Sequence, residues 1–134
     1  MLDVTGPLQM FAGVNDELGR QAYELVIAAP KRGPFKTSSG ASLVANLAIA
    51  DLNTAKCRTS DTLIAVGGDP GLGRALESGE IAALIKAASR RGCRIVSVCT
   101  GTFFLAAVGL LDGRRAATHW HYVERLRRFR PGSE

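Results

Sequence analysis

Two short apolar runs, Thr62-Leu-Ile-Ala-Val66 and Ile95-Val-Ser-Val98, constrain this chain more than any other feature. Neither alternates with charged residues, so each reads as a strand buried on both faces, the mark of a parallel sheet. Between them Ile81, Leu84, Ile85 and Ala88 recur at helical spacing. They form one face of an amphipathic helix over residues 79–91, closed by Gly92. Strand, helix and strand in that order make a right-handed parallel crossover. The expected class is α/β, with helices on both faces of a mainly parallel sheet.

The remaining segments extend the same pattern. Thr5-Gly6-Pro7 starts a helix whose apolar face (Leu8, Phe11, Ala12, Val14) runs to about Leu18. Proline is tolerated there because the first N–H groups of a helix lack partners. Residues 22–29 read as a strand ended by Pro30, and residues 31–34 as a turn. Residues 35–47 read as short extended pieces around Ser38-Ser39-Gly40, a hairpin or edge turn. Gly67-Gly68-Asp69-Pro70-Gly71 is a loop. An apolar helix follows over residues 102–108, then a short strand over 116–118 and a last helix over 119–129, stopped by Pro131. No strand precedes the first helix or follows the last. A single domain over residues 1–134 is therefore expected, with its sheet truncated at both ends. A missing central strand would expose two sheet edges and lower stability unless the fragment dimerises.

Composition narrows the function classes. With 46% hydrophobic residues the chain can bury a core, which excludes disorder. No apolar run approaches the ~18–20 residues of a membrane span, and no signal-peptide pattern is visible. The net charge of +5 permits nucleic-acid contact without requiring it. Cys57, Cys93 and Cys99 cannot all pair within one chain, and zinc spacing is absent, so free thiols in a reducing cytoplasm fit best. His119 and His121 alone make no metal set, and no metal or cofactor is expected.

The chemistry concentrates after the second run. Cys99-Thr100-Gly101 follows the strand at once and opens a helix, the layout of a nucleophile elbow. A helix N-terminus there favours the thiolate. The competing reading is a core cysteine, since free cysteine is among the most buried residue types. Gly67 and Gly68 end the neighbouring strand, at the carboxyl edge where open α/β sheets collect ligands. Their N–H groups would face the thiol as an anion pocket, or they are a plain turn. His119 is either the base of a Cys–His pair or a capping histidine bonded to backbone. Asp3 either places a carboxylate in the same pocket or caps the first helix. Trp120 reads as packing and His121 as surface. Arg125, Arg127, Arg128 and Arg130 read as a solvated helix face. Cys57 and Cys93 read as structural.

Several stretches carry a family resemblance. They are Leu2-Asp3-Val-Thr-Gly-Pro-Leu8 with Phe11, Tyr23-Glu-Leu-Val26, Ser38-Ser39-Gly40 and Thr62-Leu-Ile-Ala-Val-Gly-Gly68. The strongest are Ser97-Val-Cys-Thr-Gly101, Ala106-Ala-Val-Gly-Leu-Leu-Asp-Gly-Arg114 and Ala117-Thr-His-Trp120. Together they resemble the ThiJ/PfpI, class I glutamine amidotransferase-like superfamily, and most closely the N-terminal domain of GlxA-type AraC-family regulators. The resemblance implies a flavodoxin-like three-layer sandwich, usually dimeric. In such regulators a helix-turn-helix domain follows and binds DNA, and no such domain lies in these 134 residues. The protease-like members place His after the cysteine, where this chain has Thr100. The isonitrile hydratase group shares the Asp, the Cys-Thr-Gly and the Thr-His-Trp, and its pattern places Asp3, Cys99 and Thr100 at the active centre.

The expected function is thus a ligand- or redox-sensing domain of a transcription regulator. Its pocket is drawn from Cys99, Asp3, Thr100 and His119, with Gly67, Gly68, Thr100 and Gly101 as ligand-binding backbone. The expected partners are a small-molecule effector or substrate, a second copy of the chain, and DNA only through a downstream domain. The alternative is a stand-alone cysteine-dependent enzyme of the isonitrile hydratase type.

Overall fold

A computed structural model describes residues 1–69 and 71–129. Pro70 of the glycine loop, Arg130 of the basic run and the expected stop at Pro131 lie outside the described residues. The chain divides into two compact units, Met1–Leu52 and Asn53 onward.

The first unit opens with α1 (Leu2–Leu18), closed by Gly19 in the left-handed conformation at φ 59°. The helix starts earlier than Thr5-Gly6-Pro7 suggests. Pro7 therefore lies inside it and removes the bond to the Asp3 carbonyl. Strand β1 is only Ala28–Ala29, paired in parallel with β4 (Leu47–Ala48). The eight-residue strand expected over 22–29 does not form, because asparagine side chains take its hydrogen bonds. Asn15 Oδ1 accepts from Ala22 N and Tyr23 N, and Asn46 Oδ1 accepts from Ile27 N. The expected hairpin is present, as β2 (Gly33–Lys36) antiparallel to β3 (Ser42–Ala45).

The second unit holds the site. Strand β5 (Thr62–Val66) pairs in parallel with β6 (Arg94–Val98), in register Leu63 to Ile95 and Ala65 to Ser97. Helix α2 (Leu72–Ser78), α3 (Glu80–Arg90) and α4 (Thr102–Ala107) follow the strands, and α5 (Val123–Phe129) is the last described element. Helix α2 escapes sequence analysis because it is seven residues between Gly71 and Gly79 with one buried side chain, Leu72. Residues 116–118 form no strand.

The core is built by Ala65, Leu72, Ile85, Phe103, Phe104, Leu105, Ala106, Leu111 and Leu126, with Leu63 and Ile95 packed against it. One face of the β5–β6 ladder is thus covered by helices. The opposite face carries Ile64, half-buried, and Val96, 36% exposed. The strands are therefore not buried on both faces as their composition suggests. Among the described residues, strand pairing comprises three two-stranded ladders, two of them parallel, rather than one continuous sheet.

Candidate functional site

Strand β6 ends at Val98 in extended conformation (φ −119°, ψ 132°), and the chain then turns sharply. Cys99 has φ 56°, the single positive φ outside glycine among the described residues. A left-handed side-chain-bearing residue costs about 1–2 kcal/mol. The surroundings hold it there. The Cys99 carbonyl accepts the Thr118 hydroxyl at 3.1 Å and lies 3.0 Å from Thr102 Oγ1. Thr102, 1% exposed, places Oγ1 2.8 Å from the Ala117 carbonyl and 3.1 Å from Ser97 Oγ. One buried hydroxyl thus ties the strand, the elbow and the segment before His119 together. Cys99 itself is half-buried. Among the described residues, no hydrogen bond reaches its sulfur.

The end of β5 presses on the elbow, backbone against backbone. A Cβ on Gly67 would lie 2.2 Å from Thr100 Oγ1 and 2.6 Å from Thr100 N. A Cβ on Gly101 would lie 2.2 Å from the Ala65 carbonyl oxygen. Both positions require glycine because nothing else fits. Gly67 N donates to the Val98 carbonyl at 3.2 Å, and Gly68 N donates to Thr100 Oγ1 at 3.2 Å. These two N–H groups, expected to face the thiol, have internal acceptors. Thr100, 3% exposed, spends its hydroxyl in this seam.

His119 caps the 3-10 turn Trp120–Tyr122, with Nδ1 accepting from His121 N at 3.2 Å. Its ring is exposed and lies 5.3 Å from that of Trp120 and 5.9 Å from that of Tyr122. The capping alternative is the geometry observed at Nδ1, which leaves Nε2 to carry the proton of the neutral ring. Trp120, expected to pack, is 77% exposed. His121 is exposed, as expected. Asp3 lies in the first turn of α1, in the other unit. Met1 is the N-cap, so Asp3 is not the cap but an acid near the positive helix end.

Two residues that sequence reasoning passes over complete the second unit's arrangement. Tyr122 Oη donates to Asp69 Oδ2, linking the loop after β5 to the turn after His119. That bond, then desolvation and the Asp69 charge, raise the Tyr122 phenol above its ordinary value. The Arg125 guanidinium lies 5.7 Å from the Phe103 ring centroid and 5.9 Å from that of Tyr122. Arg125 is therefore stacked rather than merely solvated, while Arg127 pairs with Glu124 at 2.8 Å. The signal for Asp69 was its position after Gly67-Gly68. Tyr122 gave none, because its partner is 53 positions away. Among the described residues, no cluster of three or more His, Cys, Asp or Glu gathers for a metal ion. No helix among them is long and apolar enough to cross a membrane.

The sequence matches the DJ-1/PfpI family over residues 2–131. It is 37% identical over 132 residues to an uncharacterized protein in the cpoL 5' region of Streptomyces lividans, covering 96% of this chain and 85% of the relative. It is 31% identical to the isonitrile hydratase of Pseudomonas putida, covering 93% of this chain and 50% of that protein. It is 32% identical to the HTH-type transcriptional regulator GlxA of Rhizobium meliloti, covering 81% of this chain and 32% of the regulator. The chain thus spans half of the hydratase and about a third of the regulator. A ThiJ/PfpI family protein from Pseudomonas syringae superposes with TM-score 0.71 at 26% identity, covering 92% of this chain and 50% of that one. An AraC family transcriptional regulator from Pseudomonas putida superposes with TM-score 0.76 at 18% identity, covering 98% of this chain and 67% of that one. These likenesses show the fold, a mixed α/β ThiJ/PfpI architecture of the flavodoxin-like kind.

Proposed function

The chain belongs to the DJ-1/PfpI family, and from that premise we propose that it is the ligand- or redox-sensing N-terminal domain of an AraC-type transcription regulator. One observation carries this reading. Cys99 is half-buried on a strained elbow, yet no hydrogen bond from a base reaches its sulfur among the described residues. A thiol enzyme that relies on a general base holds that base within hydrogen-bond reach of its nucleophile. A sensor needs only a reachable thiol and two states that a ligand or a modification separates. Gly67 and Gly101 let the end of β5 approach the elbow, while the Gly68–Thr100 bond fixes the loop that follows. Asp69 and Tyr122 are bonded across the loop after β5, and His119 stands exposed next to Tyr122.

The partners in this reading are a small-molecule effector, a second copy of the chain, and DNA through a domain beyond Glu134. The setting is cytoplasmic, where free thiols persist. The reading frame downstream of Glu134 provides the test. A pair of helix-turn-helix segments is the expected finding, and a stop codon after one further strand and helix overturns the proposal.

A second reading, a cysteine-dependent hydratase, is favoured by the 31% identity to the isonitrile hydratase. Turnover of an isonitrile that disappears in Cys99→Ala would establish it. Binding without turnover supports the sensor.

A further inference from the structure

The other two cysteines lie on neighbouring segments at the opposite end of the β5–β6 ladder. Cys57 ends the 3-10 turn Thr54–Lys56, in the segment that leads into β5. Cys93 lies in the turn between α3 and β6 and is 8% exposed, whereas Cys57 is half-buried. The two segments are strapped together on both sides of Cys57. Upstream, the Arg91 guanidinium donates to the Ala55 carbonyl at 2.8 Å. Downstream, the Asp61 carbonyl accepts the Cys93 thiol at 3.4 Å and Arg94 N at 3.0 Å. Asp61 Oδ2 in turn accepts Arg58 N at 2.9 Å, which closes the turn after Cys57. Gly92 sits so close to Thr59 that a Cβ there would lie 3.1 Å from Thr59 Cγ2. The Cys93 thiol lies 3.4 Å from the Asp61 carbonyl and 3.9 Å from that of Arg94, and within this frame Cys57 is the neighbouring thiol that acts on it electrostatically.

We propose that Cys57 and Cys93 are a dithiol site that a hydroperoxide converts to an intramolecular disulfide, locking the segment before β5 onto the turn before β6. The site is separate from the elbow. The five residues of β6 stand between Cys93 and Cys99, roughly 17 Å of strand. Cys57, the more exposed of the pair, attacks first as its thiolate. Its sulfur takes the distal oxygen of the hydroperoxide. The O–O bond breaks, a sulfenic acid forms, and the departing alkoxide takes up a proton as alcohol, or as water from hydrogen peroxide. Cys93 then attacks that sulfur. The S–S bond forms, the S–O bond breaks, and the leaving hydroxide takes the Cys93 proton as water. Two thiols are oxidised and one hydroperoxide is reduced. Burial, followed by the Cys57 neighbour, raises the Cys93 thiol above its ordinary value, so it waits protonated as the resolving partner.

Treating the purified chain with hydrogen peroxide, trapping free thiols with iodoacetamide and mapping peptides without reduction tests this. The expected result is one cross-link joining the Cys57 and Cys93 peptides, reversed by dithiothreitol and unchanged in Cys99→Ser. In Cys57→Ser the cross-link is lost and Cys93 is recovered as an alkylated thiol after unfolding. Recovery of Cys57 as sulfinic acid with Cys93 still a thiol would overturn the proposal. So would a cross-link between chains or one that includes Cys99.

Discussion

At the scale of single residues, Cys99 concentrates strain. Its φ of 56° belongs to glycine, yet a thiol occupies it, held by the Thr118 hydroxyl on its carbonyl. Replacing the side chain separates the strain from the sulfur. Cys99→Ala keeps a Cβ in the left-handed region, whereas Cys99→Gly removes it. Urea denaturation should find Cys99→Gly more stable than Cys99→Ala by about 1 kcal/mol, the left-handed penalty less the extra chain entropy of glycine. Equal stability would mean that the elbow is relaxed. Tyr122 gives a second residue-scale test. The fold favours its neutral phenol, through the bond to Asp69 first and desolvation second. Its folded value exceeds the unfolded one, so the linked stability is full below the ordinary tyrosine range and is lost as pH rises through the raised value. In Tyr23→Phe, which leaves Tyr122 as the one tyrosine of the chain, phenolate absorbance should titrate above the ordinary tyrosine range. Adding Asp69→Asn should bring that step down, and a midpoint within the ordinary range while Asp69 is present would refute the bond.

Among the elements, the seam between the end of β5 and the elbow fixes the site. Gly67 and Gly101 meet backbone, which cannot give way as a flexible side chain can. Gly67→Ala and Gly101→Ala should each destabilise the chain by about 3 kcal/mol, the upper range of overpacking. Gly68 has nothing within 4 Å of its would-be Cβ. Gly68→Ala should stay within about 0.5 kcal/mol of wild type, and thermal melts of the three variants would show the contrast. This seam also marks how far sequence reasoning reaches. The apolar runs of β5 and β6, the helical spacing of α3 and the Cys-Thr-Gly turn were legible because each is a local pattern. The role of the glycines was not, since a Gly-Gly pair after a strand looks the same whether its N–H groups face a ligand or an inner carbonyl. Residues 22–27 misled for a related reason. Their apolar content suits a strand, but Asn15 and Asn46 offer side-chain acceptors that compete with a ladder. Tyr122 and Asp69 find each other only through the tertiary fold.

For the molecule as a whole, buried apolar side chains are distributed very unevenly. The core cluster from Ala65 to Leu126 falls within the second unit, while the first unit contributes Ala45 to the fully buried set. Helix α1 buries none of its seventeen residues, and Leu2, Met10, Val14 and Leu18 stand exposed along it. A helix with a proline inside and no fully buried residue is held, beyond its own hydrogen bonds, by few contacts, here the Asn15 side chain on Ala22 and Tyr23 and the Phe11 ring on Tyr23, and such helices are marginal in water. Local opening should therefore cost far less in α1 than in α4, where Thr102 through Ala106 are all buried. Hydrogen exchange followed by mass spectrometry on the isolated chain should show α1 and the β2–β3 hairpin exchanging well before α3, α4 and the β5–β6 ladder. If the chain dimerises through α1, its protection should instead rise with protein concentration while that of α4 stays constant. Protection of α1 equal to that of α4 at every concentration would show that the first unit draws its stability from something other than buried side chains.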